Sequence, residues 1–412
     1  MTNISGGVCA PKGFMAGGIW CGIKASSKKR DLALIYSEKA CTAAAMFTTN
    51  KVKAASVIVS QEHVSGGKLR AIIANSGNAN ACTGEAGLAA ARRMAELCAD
   101  EFAISSREVA VASTGVIGVP FPVGAVESSC PALAGSLRSD ESGHAAALEA
   151  IMTTDTRKKD AAIEITIGGV PVRFGAMCKG AGMIHPNMAT MLCFITCDAA
   201  ISRDALDTAL KQAVTRSFHR MTVDGDTSTN DSIIIMASGM AGNTPINTGT
   251  ADYSLFAEAL EYVCVLLARK MARDGEGATR LLTVTVSGAA DEESACIFAK
   301  SVASSSLVKA ACFGADANWG RVLCALGYAG PDFDPKTVNV SFRSSAGTIN
   351  VCSCGAAVPF SETDAKNILS QEEIEILIDM NSVASVNKNG NATVWGCDLT
   401  YDYVKINGDY RS

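Results

Sequence analysis

Along the first half of the chain the spacing of apolar and polar positions changes repeatedly. "DLALIYSE" (31–38), "ASVIVSQEH" (55–63) and "LRAIIANSG" (69–77) are short, β-branched apolar runs, the pattern of buried strands. "GEAGLAAARRMAELCADEF" (84–102) has helical spacing, with its paired arginines on a polar face. "AAIEITIGGVPVRFGAMCKG" (161–180) predicts a hairpin turning at Gly168-Gly169, because paired glycines supply the positive φ of a tight turn. A strand is expected at 190–198, followed by an amphipathic helix over about 203–220 with Leu206, Leu210, Val214 and Phe218 on one face. The polar loop "DGDTSTND" (224–231) leads into the strand "SIIIMAS", and a helix over about 254–273 ends in a second polar loop, "DGEGATR" (274–280), before "LLTVTVSG". No repeat or low-complexity linker interrupts this order, so a mixed α/β fold is expected.

One junction does not fit the alternation. In "KGAGMIHPNMATMLCFITCDA" (179–199) a glycine-rich loop broken by Pro186 meets a buried strand across a single Ala189-Thr190 step.

Composition narrows the function classes. The 412 residues are 48% hydrophobic and 19% charged, which suits a folded globular chain and opposes disorder. Net charge is −5 and the basic residues are scattered, so nucleic acid is not an expected partner. Neither a signal sequence nor an apolar run of ~18 residues is present, which points to a cytoplasmic protein without a membrane partner. Sixteen cysteines spread through apolar runs read as reduced and buried; Cys352 and Cys354 are closely spaced, but nothing completes a zinc set, so no metal is expected.

Familiar catalytic constellations fail here. Gly175 and Gly180 have P-loop spacing, but Ala181-Gly182 stand where Lys and Ser/Thr must follow. "DGDTSTNDSIII" resembles a calcium loop, yet Thr229 and Ile235 occupy its glycine and glutamate positions. The four histidines form no HExxH pair; His185 is either a base or a structural residue. A nucleophile must therefore find its base another way. If the Ala189-Thr190 bond is cut, Thr190 becomes a first residue whose α-amino group, with a pKa of about 7.7–8.0, can take the proton of its own hydroxyl. The same hydroxyl can make the cut by attacking the Ala189 carbonyl.

"KGAGMIHPNMATML" (179–192) resembles the signature of the ornithine acetyltransferase (glutamate N-acetyltransferase) family of arginine biosynthesis, whose members cleave themselves at this Ala-Thr bond. "NSGNANACTG" (75–84), "STGVIG" (113–118), "MTTDT" (152–156), "DGDTSTND", "DGEGATR", "GADANWGR" (314–321) and "YDYVKINGDYRS" (401–412) resemble further family blocks in the same order, so the likeness spans essentially the whole chain.

The resemblance implies that Thr190 accepts the acetyl group of N-acetylornithine as an ester, releases ornithine and passes the acetyl to glutamate. No cofactor is implied, although acetyl-CoA serves some members as a second donor. Thr114 and Gly115 match the oxyanion hole, a place where one donor is worth ~3–4 kcal/mol in the transition state. Thr153, Lys179, Thr190, Glu276, Asn407 and Ser412 match substrate contacts. The family fold implies sheets sandwiched between helix layers with a smaller second lobe, a chain divided into interleaved fragments 1–189 and 190–412, and an α₂β₂ assembly. Ala181 replaces a common serine and Gly408 an alanine, both small changes. Two alternatives remain at this point: a related self-processing aminopeptidase, in which water resolves the acyl-enzyme, and a non-catalytic small-molecule binder.

Overall fold

The computed structural model describes residues 1–24, 27–185, 191–381 and 390–408. Two sheets organise them. In the larger, the strands run in the order Thr2–Asn3, Lys159–Ile167, Val170–Lys179, Leu192–Cys197, Ser232–Ala237, Leu32–Phe47, Lys68–Asn78, Val109–Val116, with Phe14–Ile19 paired to Leu32–Phe47. The hairpin is formed as expected: Ile167 pairs with Val170, and Gly168 and Gly169 turn at φ +56° and +79°. Its second arm pairs antiparallel with Leu192–Cys197, which in turn runs parallel to Ser232–Ala237. The strand that follows the Ala189-Thr190 step is therefore an interior strand of the sheet.

Interior strands need apolar residues on both faces. Cys193 and Ile195 pack with Leu206, Leu210, Val214 and Phe218 and with Phe256 and Leu260, from the helices Arg203–Arg216 and Ala251–Arg273 and the 3₁₀ turn Phe218–Arg220 between them. Leu192 and Phe194 point the other way, into a core with Phe14, Leu148 and Ile151. The smaller sheet, ordered Ala356–Ala357, Gly347–Ser353, Asn339–Ser344, Glu373–Asp379, Leu281–Ala289, Gly390–Cys397, has its own core, where Val284, Ile374 and Ile376 meet Phe298 and Val302 of the helix Glu292–Ser304. The fold is mixed α/β with a second lobe, as expected.

One expectation fails. Residues 55–63 lie within a helix, Ala55–Val64, rather than a strand. Ala55, Ser56, Val57, Val59, Ser60, His63 and Val64 are all buried, and Ser60 Oγ and His63 Nδ1 contact the Val111 and Val109 carbonyls at 2.6 and 2.7 Å. A helix covered on nearly all sides shows no polar stripe, so its apolar run is indistinguishable from that of a buried strand. The sixteen cysteines are free thiols, most of them buried, and Cys352 lies inside a strand. Among the described residues no single helix is long and apolar enough to cross a membrane.

Candidate active site

Where the larger sheet ends beside Leu192, segments distant in sequence enclose a cavity of about 120 Å³ lined by Thr114, Gly115, Thr153, Lys179, Glu276 and Asn407. These are six of the positions singled out in the sequence. Ala189, Thr190 and Ser412, along with Pro186, lie outside the described residues. His185 bonds to Thr222 Oγ1 at 3.2 Å, and burial lowers its pKa.

Thr114 and Gly115 end the strand Val109–Val116. Gly115 has φ +133°, and a Cβ there would stand 2.3 Å from the Gly77 carbonyl carbon, so only glycine fits against that neighbour. The Thr114 hydroxyl accepts a hydrogen bond from Lys179 Nζ at 3.4 Å. Lys179 is 3% exposed, and burial pulls its ammonium below the usual lysine range, opposed by the charges of Asp155, Glu276 and Asp231.

Supporting carboxylates were not singled out in the sequence. Asp155 accepts Gly180 N–H at 2.7 Å and Thr153 N–H at 2.9 Å, so it ties the cavity wall to the loop that carries Lys179 onward. Its other partner is the buried Lys159, at 2.6 Å, which also binds Asp274 at 2.5 Å. Asp274 in turn accepts Thr156 N–H at 3.0 Å, two residues before Glu276. Asp224 accepts Met183 and Ile184 N–H at 2.6 and 2.8 Å. The one advance signal was a cluster of Asp, Lys and Thr within "TTDTRKKD" and "RDG"; their pairing is long-range and invisible to spacing.

Part of the polar loop 224–231, from Ser228 to Asn230, is a wall of the cavity. Asn230 donates to the Ala79 and Ser113 carbonyls at 2.6 and 2.7 Å, holding the end of the Thr114 strand. Asp231 is fully buried; its Oδ1 accepts Met191 N–H at 2.8 Å, while among the described residues Oδ2 has no hydrogen-bond partner. Burial drives its pKa well above the ordinary carboxylate value. From the other side, the helix Tyr401–Gly408 settles on the loop 274–280: Thr400 Oγ1 donates to Gly277 O at 2.8 Å and Asn407 Nδ2 to Glu276 Oε2 at 2.9 Å.

The arrangement presents a hydroxyl and a glycine N–H at a strand end, a buried cation and a carboxylate across a small space, groups suited to an amino-acid substrate and a developing oxyanion. Residues 15–412 match the ArgJ family model. The arginine biosynthesis bifunctional protein of Symbiobacterium thermophilum is 50% identical over 413 residues, covering 100% of both chains. That of Caldanaerobacter subterraneus is 49% identical over 412 residues, again 100% of each. A crystal structure of the protein of that name from Bacillus halodurans is 42% identical, covers 52% of this chain and 97% of that one, and has a TM-score of 0.49.

Proposed function

The chain belongs to the ArgJ family, and on that premise we propose that it is the acetyltransferase of arginine biosynthesis that moves the acetyl group of N2-acetyl-L-ornithine to L-glutamate. Thr190 is the nucleophile. Its hydroxyl oxygen attacks the acetyl carbonyl, its α-amino group carries the proton, and ornithine leaves before glutamate takes the acetyl from the ester. Thr114 and Gly115 stabilise the oxyanion. Lys179 and Glu276 meet the substrate's carboxylate and amine, with Thr153, Asn407 and Ser412 completing the contacts. The amino group of Thr190 becomes free when the precursor cleaves itself between Ala189 and Thr190, and the fragments 1–189 and 190–412 stay together as parts of an α₂β₂ assembly in the cytoplasm. No cofactor takes part; acetyl-CoA is a second acetyl donor to glutamate, in keeping with the bifunctional relatives.

The observation that carries this reading is the convergence of Thr114, Gly115, Thr153, Lys179, Glu276 and Asn407 on one cavity, whose wall residue Asn230 precedes Asp231, the partner of Met191 N–H, and Met191 follows Thr190 in the chain. Interleaving of the fragments has the same kind of support, since Val170–Lys179 and Leu32–Phe47 pair with strands from beyond residue 190. The test is Thr190→Ala. The wild type should run on a denaturing gel as two fragments, the second starting at Thr190, and should form N-acetylglutamate rather than free acetate. The variant should remain one chain without transfer. An uncut wild type with full transferase activity would refute the N-terminal base.

A further inference from the structure

Away from the active site, a cleft of about 810 Å³ opens between the two lobes. One wall is the end of the helix Arg203–Arg216 and the 3₁₀ turn Phe218–Arg220, which supply Arg216, His219 and Arg220. The facing wall is the helix Glu292–Ser304, which supplies Glu292, Glu293 and Lys300. None of these residues takes part in the acyl transfer described above.

The cleft is short of hydrogen-bond acceptors and of negative charge. His219 Nε2 and Arg220 Nε are buried and have no hydrogen-bond partner among the described residues. Buried polar groups are nearly always paired, so two such atoms on adjacent residues of one cleft call for an acceptor from outside the chain. Glu292 does not meet that demand. It holds Arg220 Nη2 at 2.5 Å and lies 3.8 Å from Arg216 Nε, so its charge is already neutralised. Lys300, half-buried across the cleft, has no carboxylate partner among the described residues. Burial, together with the Lys300 charge, lowers the His219 pKa to about 4, so the ring is neutral at pH 7 and its Nε2 tautomer offers one N–H. A planar guanidinium edge, an imidazole N–H and an unpaired ammonium from the opposite wall are the complement of an oxygen-rich anion.

The cleft also lies next to the segment that fastens the loop before the active site. Within four residues of Arg220, Thr222 Oγ1 donates to Ile184 O at 3.3 Å and Val223 N–H donates to the same carbonyl at 2.8 Å. Asp224 then accepts the N–H of Met183, a residue that lines the active-site cavity.

We propose that this cleft binds a small polyanion, a phosphorylated or polycarboxylic metabolite, between Lys300 on one lobe and Arg216, His219 and Arg220 on the other, and that its occupant braces the segment 219–224. A ligand held from both lobes favours their closed arrangement, and through Thr222 and Val223 that arrangement extends to the loop at Ile184.

The test uses pyrophosphate and citrate as probes, titrated calorimetrically into the full-length protein at a constant ionic strength of about 0.15 M. At least one should bind saturably. Tighter binding of pyrophosphate identifies a phosphorylated ligand, and tighter binding of citrate a polycarboxylic one. Lys300→Gln should raise Kd at least about tenfold, the size of one charge-assisted hydrogen bond, and Arg216→Gln, at an exposed position, should raise it about threefold. Glu293→Gln, which removes a negative charge from the cleft, should lower Kd about twofold. Circular dichroism of each variant verifies folding. Hydrogen exchange read by mass spectrometry should slow over residues 219–224 of the wild type when the probe is bound, and should not slow in Lys300→Gln at the same probe concentration. Absence of saturable binding by both probes would overturn the proposal. So would binding that the Lys300 and Arg216 substitutions leave unchanged, or binding that gives no protection of residues 219–224.

Discussion

Replacing Lys159 with methionine tests whether the buried ion cluster holds the site together. The ammonium lies between Asp155 and Asp274 at 2.6 and 2.5 Å, and the three side chains are 0–2% exposed. Methionine preserves the volume but leaves two carboxylates without their shared cation. Breaking a buried pair in this way costs about 3–5 kcal/mol, against about 5–15 kcal/mol of stability for a typical protein. The pH dependence carries a sign. Although burial alone would raise the pKa of Asp155, Lys179, Lys159 and the Gly180 N–H outweigh it and hold the carboxyl below its usual range. The stability it contributes is thus fully present above the unfolded pKa of ~3.9 and is lost as pH falls through the lower folded value. Urea unfolding followed by circular dichroism, repeated from pH 7 down to 3, should show Lys159→Met weaker by that amount at neutrality, with the gap closing on acidification. Adding Asp274→Asn to the variant should recover part of the loss. A deficit below ~1 kcal/mol at pH 7, or one that does not shrink in acid, would refute the reasoning.

Two further substitutions probe the cavity itself. In Gly182→Ala the new Cβ would meet Glu276 Oε2 at 2.3 Å, displacing the carboxylate from Asn407; KM for N-acetylornithine should rise about tenfold with little change in melting temperature, and an unchanged KM would remove Glu276 from the amine contact. Asp231→Asn can keep the bond to Met191 N–H through its amide oxygen, whereas Asp231→Ala leaves that buried N–H unpaired at a cost of ~1–3 kcal/mol. Self-cleavage, followed by gel, should therefore be slowed more by alanine than by asparagine; equal rates would show that the anchor of residue 191 does not matter.

How much of this was legible in the sequence depends on the range over which each feature is decided. The Gly168-Gly169 hairpin and the helix Gly84–Phe102 declare themselves because turn chemistry and an amphipathic stripe are local. The helix Ala55–Val64 does not, since neighbours that cover nearly every side remove the polar positions that would reveal its period. The same division runs through the site. Thr114, Gly115, Lys179 and Glu276 stand in short motifs that resemble family blocks, and the resemblance singles them out before the fold brings them to one cavity. Lys159 and Asp274, 115 positions apart, have no local signature, because an ammonium in a run of basic residues normally faces water. Only the fold makes Lys159 the buried counterion of two loops, one leading to Thr153 and one to Glu276. A motif therefore singles out residues that line the cavity, while the precision with which they are held is set by long-range pairs, and these are where a distant substitution will alter the cavity.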